Sequence, residues 1–277
     1  MGIGGIHGSA VPSFDVPTRR VSNEMVGSST DANGRLALLR PVDAADASQD
    51  LVLKGIHQGG AQDVFAVDVA QAFGIDDMFL PTVWSEAERG AVMPRFPGRT
   101  LEDLRMGTSA GLQQAIESAT AVHAPGLSAA ELTRAARTRR ELVAAFNVVI
   151  ANGDQHGLNI MFDAASSKLA FIDHALMNRY PLAADGLPTV RAAFMGSGIA
   201  TRAGSTYELA LGGDALTALQ QVDRPAIGAA FDRLLERTAG VTALGRHSRE
   251  LGPSFLGELF GRLDNVLATG LLRYHVV

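Results

Sequence analysis

The chain has 277 residues and no cysteine. Disulfide bonds, thiolate metal sites and catalysis by a cysteine thiol are therefore excluded, and we expect a cytoplasmic protein in a reducing compartment. The sequence also lacks an uninterrupted apolar run of membrane-spanning length, and no basic start is followed by an apolar signal core. We expect a soluble protein with no transmembrane segment.

An excess of positive charge is missing as well, since 24 Lys and Arg stand against 29 Asp and Glu and the net charge is −5. Nonspecific affinity for nucleic acid depends on clustered Lys and Arg, so no nucleic-acid partner is expected. The hydrophobic fraction is 47%, and the length allows one large or two modest domains with a substantial core.

The first residues, 1–20, are rich in Gly, Ser and Pro and show no periodicity. We expect a flexible leader in this segment. Proteins exported by specialised bacterial injection systems carry such leaders without a signal core. Export to a host cell cytosol is therefore kept as an alternative location.

The most informative segment is 152–161, which is followed by a short apolar run that ends at Asp173. Magnesium prefers hard oxygen ligands and is usually shared between one or two side chains and substrate phosphates. Asn159 and Asp173 offer those two ligands. Phosphoryl transfer needs a further carboxylate to orient or deprotonate the attacking hydroxyl, and Asp154 precedes Asn159 by five residues. The pattern indicates a magnesium–nucleotide site.

Two other interpretations use the same residues. Asp154, His156 and Asp173 could be loop polar groups that cap local turns, as Asp and Asn often are. Alternatively, these three residues and His174 could form a transition-metal hydrolase cluster, because imidazole with carboxylate suits zinc or iron.

These residues resemble the protein-kinase-like superfamily, and within it the HipA-like and phosphatidylinositol 3-/4-kinase branches. Those branches carry a Gly-Asp-Arg-His-x-x-Asn-Ile-Met catalytic loop and an Ile-Asp-Phe-Gly metal motif. The chain matches these motifs at Gly153, Asp154, His156, Asn159, Ile160, Met161, Ile172 and Asp173. It departs at Gln155, where the pattern has Arg, and at His174-Ala175, where it has Phe-Gly. Ala175 removes a glycine that would make the backbone permissive, whereas the His174 ring could still pack against the core.

The resemblance also gives roles to two residues in the first third of the chain. Lys54 ends the apolar run 51–54, where kinases place the lysine that holds the nucleotide phosphates; from this residue alone, an edge-strand Lys would be the simpler explanation. The segment 61–73 has helical spacing with Gly74 past its end. HipA-like sequences place a Glu near the start of such a helix, eleven residues before the glycine, where this chain has the shorter Asp. Asp63 stands there and should pair with Lys54, with Asp68 in reserve.

Two further nucleotide contacts are expected from the resemblance. A phosphate-covering loop should lie between the first two strands, and Gly27 and Ser28 begin the best candidate, Gly-Ser-Ser-Thr. The segment that joins the lobes should offer backbone groups to the adenine edge between Met93 and Phe96, with Arg95 among them.

Several helices are predicted by capping and periodicity. Ser128 and Glu131 form a capping box that opens a long helix ending just before Gly153. Thr100 with Asp103 predicts another helix start, and amphipathic helices are expected over 225–239 and 254–267. Three scattered arginines, Arg179, Arg191 and Arg202, could receive an acidic substrate or a lipid headgroup.

Together these features predict an α+β, two-lobed protein-kinase-like fold, with a nucleotide-binding N-lobe over 21–94 and a mostly helical C-lobe over 95–277. The resemblance implies ATP and Mg²⁺ as cofactors, with Lys54 gripping phosphates and Asn159 and Asp173 holding the metal. Asp154 would orient the nucleophile, and His156 would accept a proton or brace the loop.

The expected reaction is transfer of the ATP γ-phosphoryl group to a hydroxyl. A protein Ser or Thr is the first choice of acceptor, because the sequence has no concentrated basic patch and no amphipathic membrane helix. A phosphoinositide acceptor, AMP transfer or carboxylate activation, and a pseudokinase that binds partners without chemistry remain alternatives.

Overall fold

The computed structural model describes residues 18–22, 36–41, 43, 49–178, 187–190, 206–241 and 251–276. Gly27 and Ser28, proposed for the phosphate loop, lie outside the described residues, in the segment that connects the first two strands. Arg179, Arg191 and Arg202 also lie outside them. The first strand begins at Thr18, within the segment predicted as a leader.

A five-stranded antiparallel sheet, in the order β1-β2-β3-β5-β4, forms the β-rich part of the molecule. Its strands are β1 (Thr18–Ser22), β2 (Ala37–Pro41), β3 (Leu51–Gly55), β4 (Val83–Ser85) and β5 (Gly90–Pro94). The central strand β3 is apolar and is buried from Leu51 to Lys54, as expected for a strand covered on both faces. The strand indicated by the apolar run 51–54 is confirmed.

Helix α1 (Gly60–Ala72) follows β3 after one short 3-10 turn, Ile56–Gln58. It begins beside Gly59, which has φ 85°, a left-handed conformation that glycine adopts without strain. Most of the helix is buried on all sides, which is typical of a helix packed between two layers. One side faces the sheet, and Phe65 on the other side meets the Phe231 and Phe255 rings at 5.8 and 6.2 Å.

The rest of the described chain is mostly helical. Its helices are α2 (Ser109–His123), α3 (Ala129–Val149), α4 (Gly213–Gln220), α5 (Arg224–Thr238) and α6 (Ser254–Thr269). Two small three-stranded sheets accompany them, in the orders β6-β7-β8 and β10-β11-β9. Their strands are β6 (Arg99–Thr100), β7 (Ile160–Asp163), β8 (Lys168–Phe171), β9 (Thr189–Val190), β10 (Thr206–Ala210) and β11 (Leu271–Val276).

The α+β class and the division into a small β-rich part and a mostly helical part are confirmed. The capping box at the start of α3 is also confirmed, since the Ser128 N–H donates to Glu131 Oε2 at 2.9 Å and Glu131 N–H donates back to Ser128 Oγ at 3.4 Å. Helices α5 and α6 lie within two residues of their predicted bounds. Among the described residues, no helix is long and apolar enough to cross a membrane.

The helix start predicted at Thr100 is wrong. Thr100 Oγ1 does accept from the Asp103 N–H at 3.0 Å, but Thr100 itself belongs to β6 and is paired with Met161. The turn that it caps ends at Arg105, whose φ of 57° is incompatible with a right-handed helix. Helix α2 begins later, with Thr108 as its N-cap.

The buried side chains form two hydrophobic clusters. The smaller one is confined to the sheet and includes Leu39, Leu51, Leu53 and Val92. The larger one fills the helical part and extends through α1 to reach Phe73. Helix α1 therefore shares its core with the helical part of the molecule, although it follows β3 in the chain.

Gly60 allows α1 to approach the strand that carries Lys54. A Cβ at Gly60 would lie 2.1 Å from the Lys54 carbonyl oxygen and 3.0 Å from the Ala91 nitrogen. Gly60→Ala should therefore lower the free energy of unfolding by about 1–3 kcal/mol, as overpacking against backbone does. Urea denaturation measures the change.

Gly257→Ala is the matched control. It lies inside α6, where an added Cβ would meet nothing within 4 Å. Alanine is the better helix former, so this variant should gain roughly 0.5–1 kcal/mol. Equal effects of the two substitutions would contradict the close approach at Gly60.

Candidate functional site

The site is centred on the ammonium group of Lys54. Its Nζ lies 2.7 Å from Asp63 Oδ2 and 2.7 Å from Asp173 Oδ1. Lys54 comes from the central strand β3, Asp63 from the first turn of α1, and Asp173 from the segment after β8. Three distant parts of the sequence therefore converge on one buried cation.

Asp63, and not the reserve candidate Asp68, is the partner of Lys54. Asp68 lies on the opposite side of α1, where its carboxylate accepts from Arg233 Nη2 of α5 at 3.0 Å. The second oxygen of Asp63, Oδ1, accepts from the backbone N–H of His174 at 2.6 Å. One carboxylate thus ties the strand lysine to the backbone beside Asp173.

The charges in this cluster stabilise one another. Burial lowers the pKa of Lys54, but the carboxylates of Asp173 and Asp63 together outweigh it, and the net pKa lies above that of an ordinary ammonium. Burial raises the pKa of Asp63 above its usual range, against the lowering effect of Lys54. Desolvation in the cleft acts to raise the pKa of Asp173, but its charge interaction and hydrogen bond with Lys54 hold that pKa below the ordinary value.

Asp173 has a left-handed backbone, with φ 60°. Asp tolerates this region better than most residues because its short polar side chain can bond locally. Its side chain is 47% exposed, so one carboxylate reaches both Lys54 and the open side of the site. Ala175 is not among the described residues with positive φ, so the glycine expected there is not required by the backbone.

The His174 ring packs into the core, as the sequence indicated. It lies 5.2 Å from the Phe79 ring and 5.9 Å from the Phe146 ring, measured between centroids. Burial lowers the pKa of His174 to about 3, so the ring is neutral at physiological pH. The imidazole therefore occupies the place of a core aromatic side chain.

The loop after α3 carries Asp154 and Asn159. Asn159 Nδ2 donates to the backbone carbonyl of Asp154 at 2.8 Å, which closes the loop on itself. The carbonyl of Asn159 accepts from the backbone N–H of Ile172 at 3.0 Å, so this loop and the segment leading to Asp173 are bonded directly. Asp154, Asn159 and Asp173, which the sequence analysis grouped, belong to one connected structure.

His156 braces this loop. Its Nδ1 accepts from the backbone N–H of Leu158 at 3.2 Å, which places the proton of a neutral ring on Nε2. Nε2 lies 3.6 Å from Asp154 Oδ1 and faces it. The geometry favours the bracing role over proton acceptance by His156.

The segment expected to meet adenine follows β5. Met93 is paired with Val52 in the sheet. Pro94 has no N–H, and the N–H of Arg95 donates to the Asp50 carbonyl at 3.0 Å. The Asp50 carboxylate is in turn held by Arg40, through bonds of 2.6 and 3.0 Å. The Arg95 amide is therefore already engaged within the protein. The predicted adenine contact covered the carbonyls of this segment as well as its amides.

The transition-metal interpretation is not supported. Among the described residues, no group of three or more His, Asp or Glu side chains is arranged to hold a metal ion. His174, one of the four proposed ligands, is turned into the core against two phenylalanines.

Sequence reasoning missed two buried asparagines, Asn147 and Asn152, which are 1% and 0% exposed. They hydrogen bond to each other beneath the loop that carries Asp154. A sequence signal was present, since Asn147 interrupts an otherwise apolar stretch over 142–151. A polar side chain in such a run must find a buried partner.

Comparison with known proteins gives matches among solved structures alone. No family model matches the chain, and no curated protein matches it. A solved structure of a proinflammatory kinase, CtkA from Helicobacter pylori, is similar at 14% sequence identity and a TM-score of 0.45, over 90% of this chain and 92% of that one. A likeness at this level does not extend to activity or substrate.

The Lys54–Asp63 pair can be tested by its contribution to stability. Asp63→Asn keeps the shape but removes the charge that partners a buried ammonium, while Asp173 remains beside Lys54. The free energy of unfolding should fall by about 2 kcal/mol, as for other hydrogen bonds to charged groups. Asp68→Asn, the matched control in an exposed pair, should change it by less than ~0.5 kcal/mol. Similar losses in the two variants would contradict the assignment.

His174→Phe should stabilise the protein. Among the described residues, His174 Nε2 has no hydrogen-bond partner, and an orphaned buried polar atom costs about 1–3 kcal/mol. Unfolding at pH 7 should therefore require about 1 kcal/mol more free energy in the variant.

The gain should grow in acid. The unfolded chain protonates His174 near pH 6.5, whereas the folded chain does so only at about 3. The contribution of the neutral His174 to the stability of the wild type is therefore complete above pH 6.5, and it is lost as the pH falls from there toward 3. At pH 5 the difference between the two proteins should exceed that at pH 7 by about 2 kcal/mol. Parallel curves of stability against pH would contradict the buried neutral imidazole.

Proposed function

We propose that this protein is an ATP-dependent kinase that transfers the γ-phosphoryl group to a hydroxyl, with a protein Ser or Thr as the preferred acceptor. The observation that carries the proposal is the convergence of Lys54, Asp63 and Asp173, with Nζ 2.7 Å from each carboxylate. The loop that holds Asp154 and Asn159 is bonded to the same structure. This is the set of groups that phosphoryl transfer requires.

The donor set fits magnesium. Asp173 offers a half-exposed carboxylate, and its lowered pKa keeps it ionised at neutral pH. The amide nitrogen of Asn159 bonds the Asp154 carbonyl, which leaves Oδ1 as the ligand atom. Oxygen ligands of this kind, few in number, suit Mg²⁺ shared with a nucleotide. When bound, magnesium-ATP would supply the electrophilic phosphorus and neutralise charge on the leaving oxygens.

Lys54 provides the fixed positive charge for the phosphates. Its raised pKa keeps the ammonium protonated, and the ion pair with Asp63 fixes its position. Asp63 is one methylene shorter than the Glu of the resembling families. The 2.7 Å contact means that the shorter side chain still reaches Lys54 directly, without a bridging water.

Asp154 is the group proposed to orient the acceptor hydroxyl and receive its proton. Its side chain is 19% exposed, so it is held by the loop yet reachable from outside. His156 Nε2 faces its carboxylate and would stabilise the orientation of that group. Because the proton of the neutral His156 ring lies on Nε2, that nitrogen cannot accept the proton of the hydroxyl. We therefore assign the role of base to Asp154.

The adenine edge is proposed to meet the backbone between Met93 and Phe96. Because Pro94 lacks an N–H and Arg95 donates to Asp50, the donor in this segment would be the amide of Phe96. The carbonyls of the segment would serve as acceptors. Gly27 and Ser28 remain the proposed phosphate loop.

The departures from the family pattern do not favour a pseudokinase. His174 fills the place of the family phenylalanine as an aromatic ring between Phe79 and Phe146. The backbone places its left-handed residue at Asp173, so Ala175 introduces no strain of that kind. A phosphoinositide acceptor remains the second candidate, and the assay below distinguishes it.

Nucleotide binding is the first test. Calorimetric titration of ATP, with and without magnesium, should show magnesium-dependent binding in the wild type and its loss in Asp173→Asn. Turnover should fall on the order of 10²–10³-fold, because a charge that acts on the transferring phosphoryl group is removed. Asp232→Asn, an exposed carboxylate on α5, is the matched control and should bind as the wild type does. Well-folded wild type that binds no nucleotide would refute the proposal.

Labelled phosphate transfer identifies the acceptor. Protein substrates and anionic vesicles that contain phosphoinositide should be offered in parallel, with the Asp173→Asn variant as background. Label in protein Ser or Thr supports the preferred acceptor. Label in lipid alone would replace it with the phosphoinositide.

A further inference from the structure

Beneath the catalytic loop lies a chain of buried amide side chains. Its members are Asn147, Asn152 and Gln155, and the last of these is 4% exposed. Asn147 Nδ2 donates to the Val143 carbonyl at 2.9 Å, which anchors the chain in α3. Asn152 Nδ2 donates to Asn147 Oδ1 at 2.9 Å and to Gln155 Oε1 at 3.2 Å.

The free ends of this chain hold the backbone of the loop. Asn152 Oδ1 accepts from the Asp154 N–H at 3.1 Å. Gln155 Nε2 donates to the Asn159 carbonyl at 3.1 Å. The network therefore grips the loop beside the proposed base and beside one proposed metal ligand.

Gln155 is also linked to Asp173, the second proposed metal ligand, through a shared hydrogen-bond acceptor. The Asn159 carbonyl that it binds also accepts from the Ile172 N–H, at 3.0 Å, and Ile172 immediately precedes Asp173. One oxygen thus receives two hydrogen bonds and joins the loop to the segment of Asp173. A change at Gln155 should shift Asn159 and Asp173 relative to each other.

The amide of Gln155 does this without carrying charge. Gln155 accepts from one neighbour and donates to another, so its side chain needs both an oxygen and an N–H. An apolar residue of equal length leaves Asn152 and the Asn159 carbonyl short of a partner. An arginine would place a charge in a buried amide cluster and could not accept from Asn152.

We propose that Asn152 and Gln155 are positioning residues of the phosphoryl-transfer site, which fix the separation of Asp154, Asn159 and Asp173 through neutral hydrogen bonds. The proposal rests on the proposed function. It assigns a role to Gln155, one of the residues at which the chain departs from the pattern of the families it resembles. Gln155 stands where the resembling families have arginine, and its two hydrogen bonds hold the loop from the core.

The test compares Gln155→Met with the wild type and with Gln113→Met. Gln113 makes a single side-chain bond of 3.0 Å to Glu117 on α2, so its variant controls for the substitution itself. In Gln155→Met, kcat should fall roughly 10–100-fold and the magnesium concentration for half-maximal rate should rise, as when a ligand's support is removed. KM for ATP should change less than about threefold, because Lys54 is untouched.

Two more variants sharpen the result. Gln155→Glu keeps the length and the acceptor oxygen but loses the N–H to Asn159, and it should lose kcat as Gln155→Met does. Gln155→Arg restores the family residue and should also lose activity. A kcat of Gln155→Arg equal to or higher than that of the wild type would overturn the proposal.

Amide hydrogen exchange gives a readout that does not depend on activity. In Gln155→Met and Gln155→Glu, exchange at the Asp154 and Ile172 N–H groups should accelerate about tenfold or more, while exchange in α1 should not change. Unchanged exchange at both amides, or kcat and magnesium dependence within twofold of the wild type, would overturn the positioning role. Wild type without nucleotide binding or transfer would instead refute the proposed function, and the exchange result would still report on the brace.

Discussion

Much of this structure is arranged around one buried ammonium group, that of Lys54. Lys54 is withdrawn from water on the central strand of the sheet, and a buried cation is tolerated only beside anions. Asp63 and Asp173 meet that need from two other parts of the chain. The position of α1 and the left-handed turn at Asp173 can both be understood as conditions for that contact. The same charges, once held, are those that a nucleotide's phosphates and a magnesium ion require.

The surroundings of this cluster hold it from two directions. From the helical part, Phe231 and Phe255 pack on Phe65 and keep α1 close to the sheet. From below the loop, the amides of Asn152 and Gln155 bond the backbone near Asp154 and Asn159. Apolar packing therefore places the Lys54–Asp63 pair, and polar bonding places the end of the site proposed for the acceptor. Each mechanism suits its location, because a loop must find partners for its backbone groups outside itself, whereas the interior of a helix bonds its own.

The sequence predicted the elements that depend on local rules. Strand β3 and the capping box of α3 followed from periodicity and capping chemistry. The pairing of Asp63 with Lys54 followed from the resemblance to HipA-like sequences. The helix start at Thr100 failed because strand pairing with Met161 overrode a local capping signal. Asn147, a polar residue in an apolar run, signalled a buried hydrogen bond, but which side chains meet in the Asn152 network is decided only by folding. Backbone angles at Asp173 and the engagement of the Arg95 amide depend likewise on tertiary contacts.

The place of α1 in the larger core links the end of the chain to its beginning. Phe65 lies two residues after Asp63 on α1, and the rings that cover it come from α5 and α6, about 165 and 190 residues later. A chain shortened before residue 224 would retain Lys54, Asp63, Asp154, Asn159 and Asp173, yet α1 would lose the surface against which it rests. Helices α5 and α6 thus support α1 and, through it, the Lys54–Asp63 pair, to which they contribute no side chain. Inventories of motif residues alone would overlook this dependence when fragments or fusions of such a chain are designed.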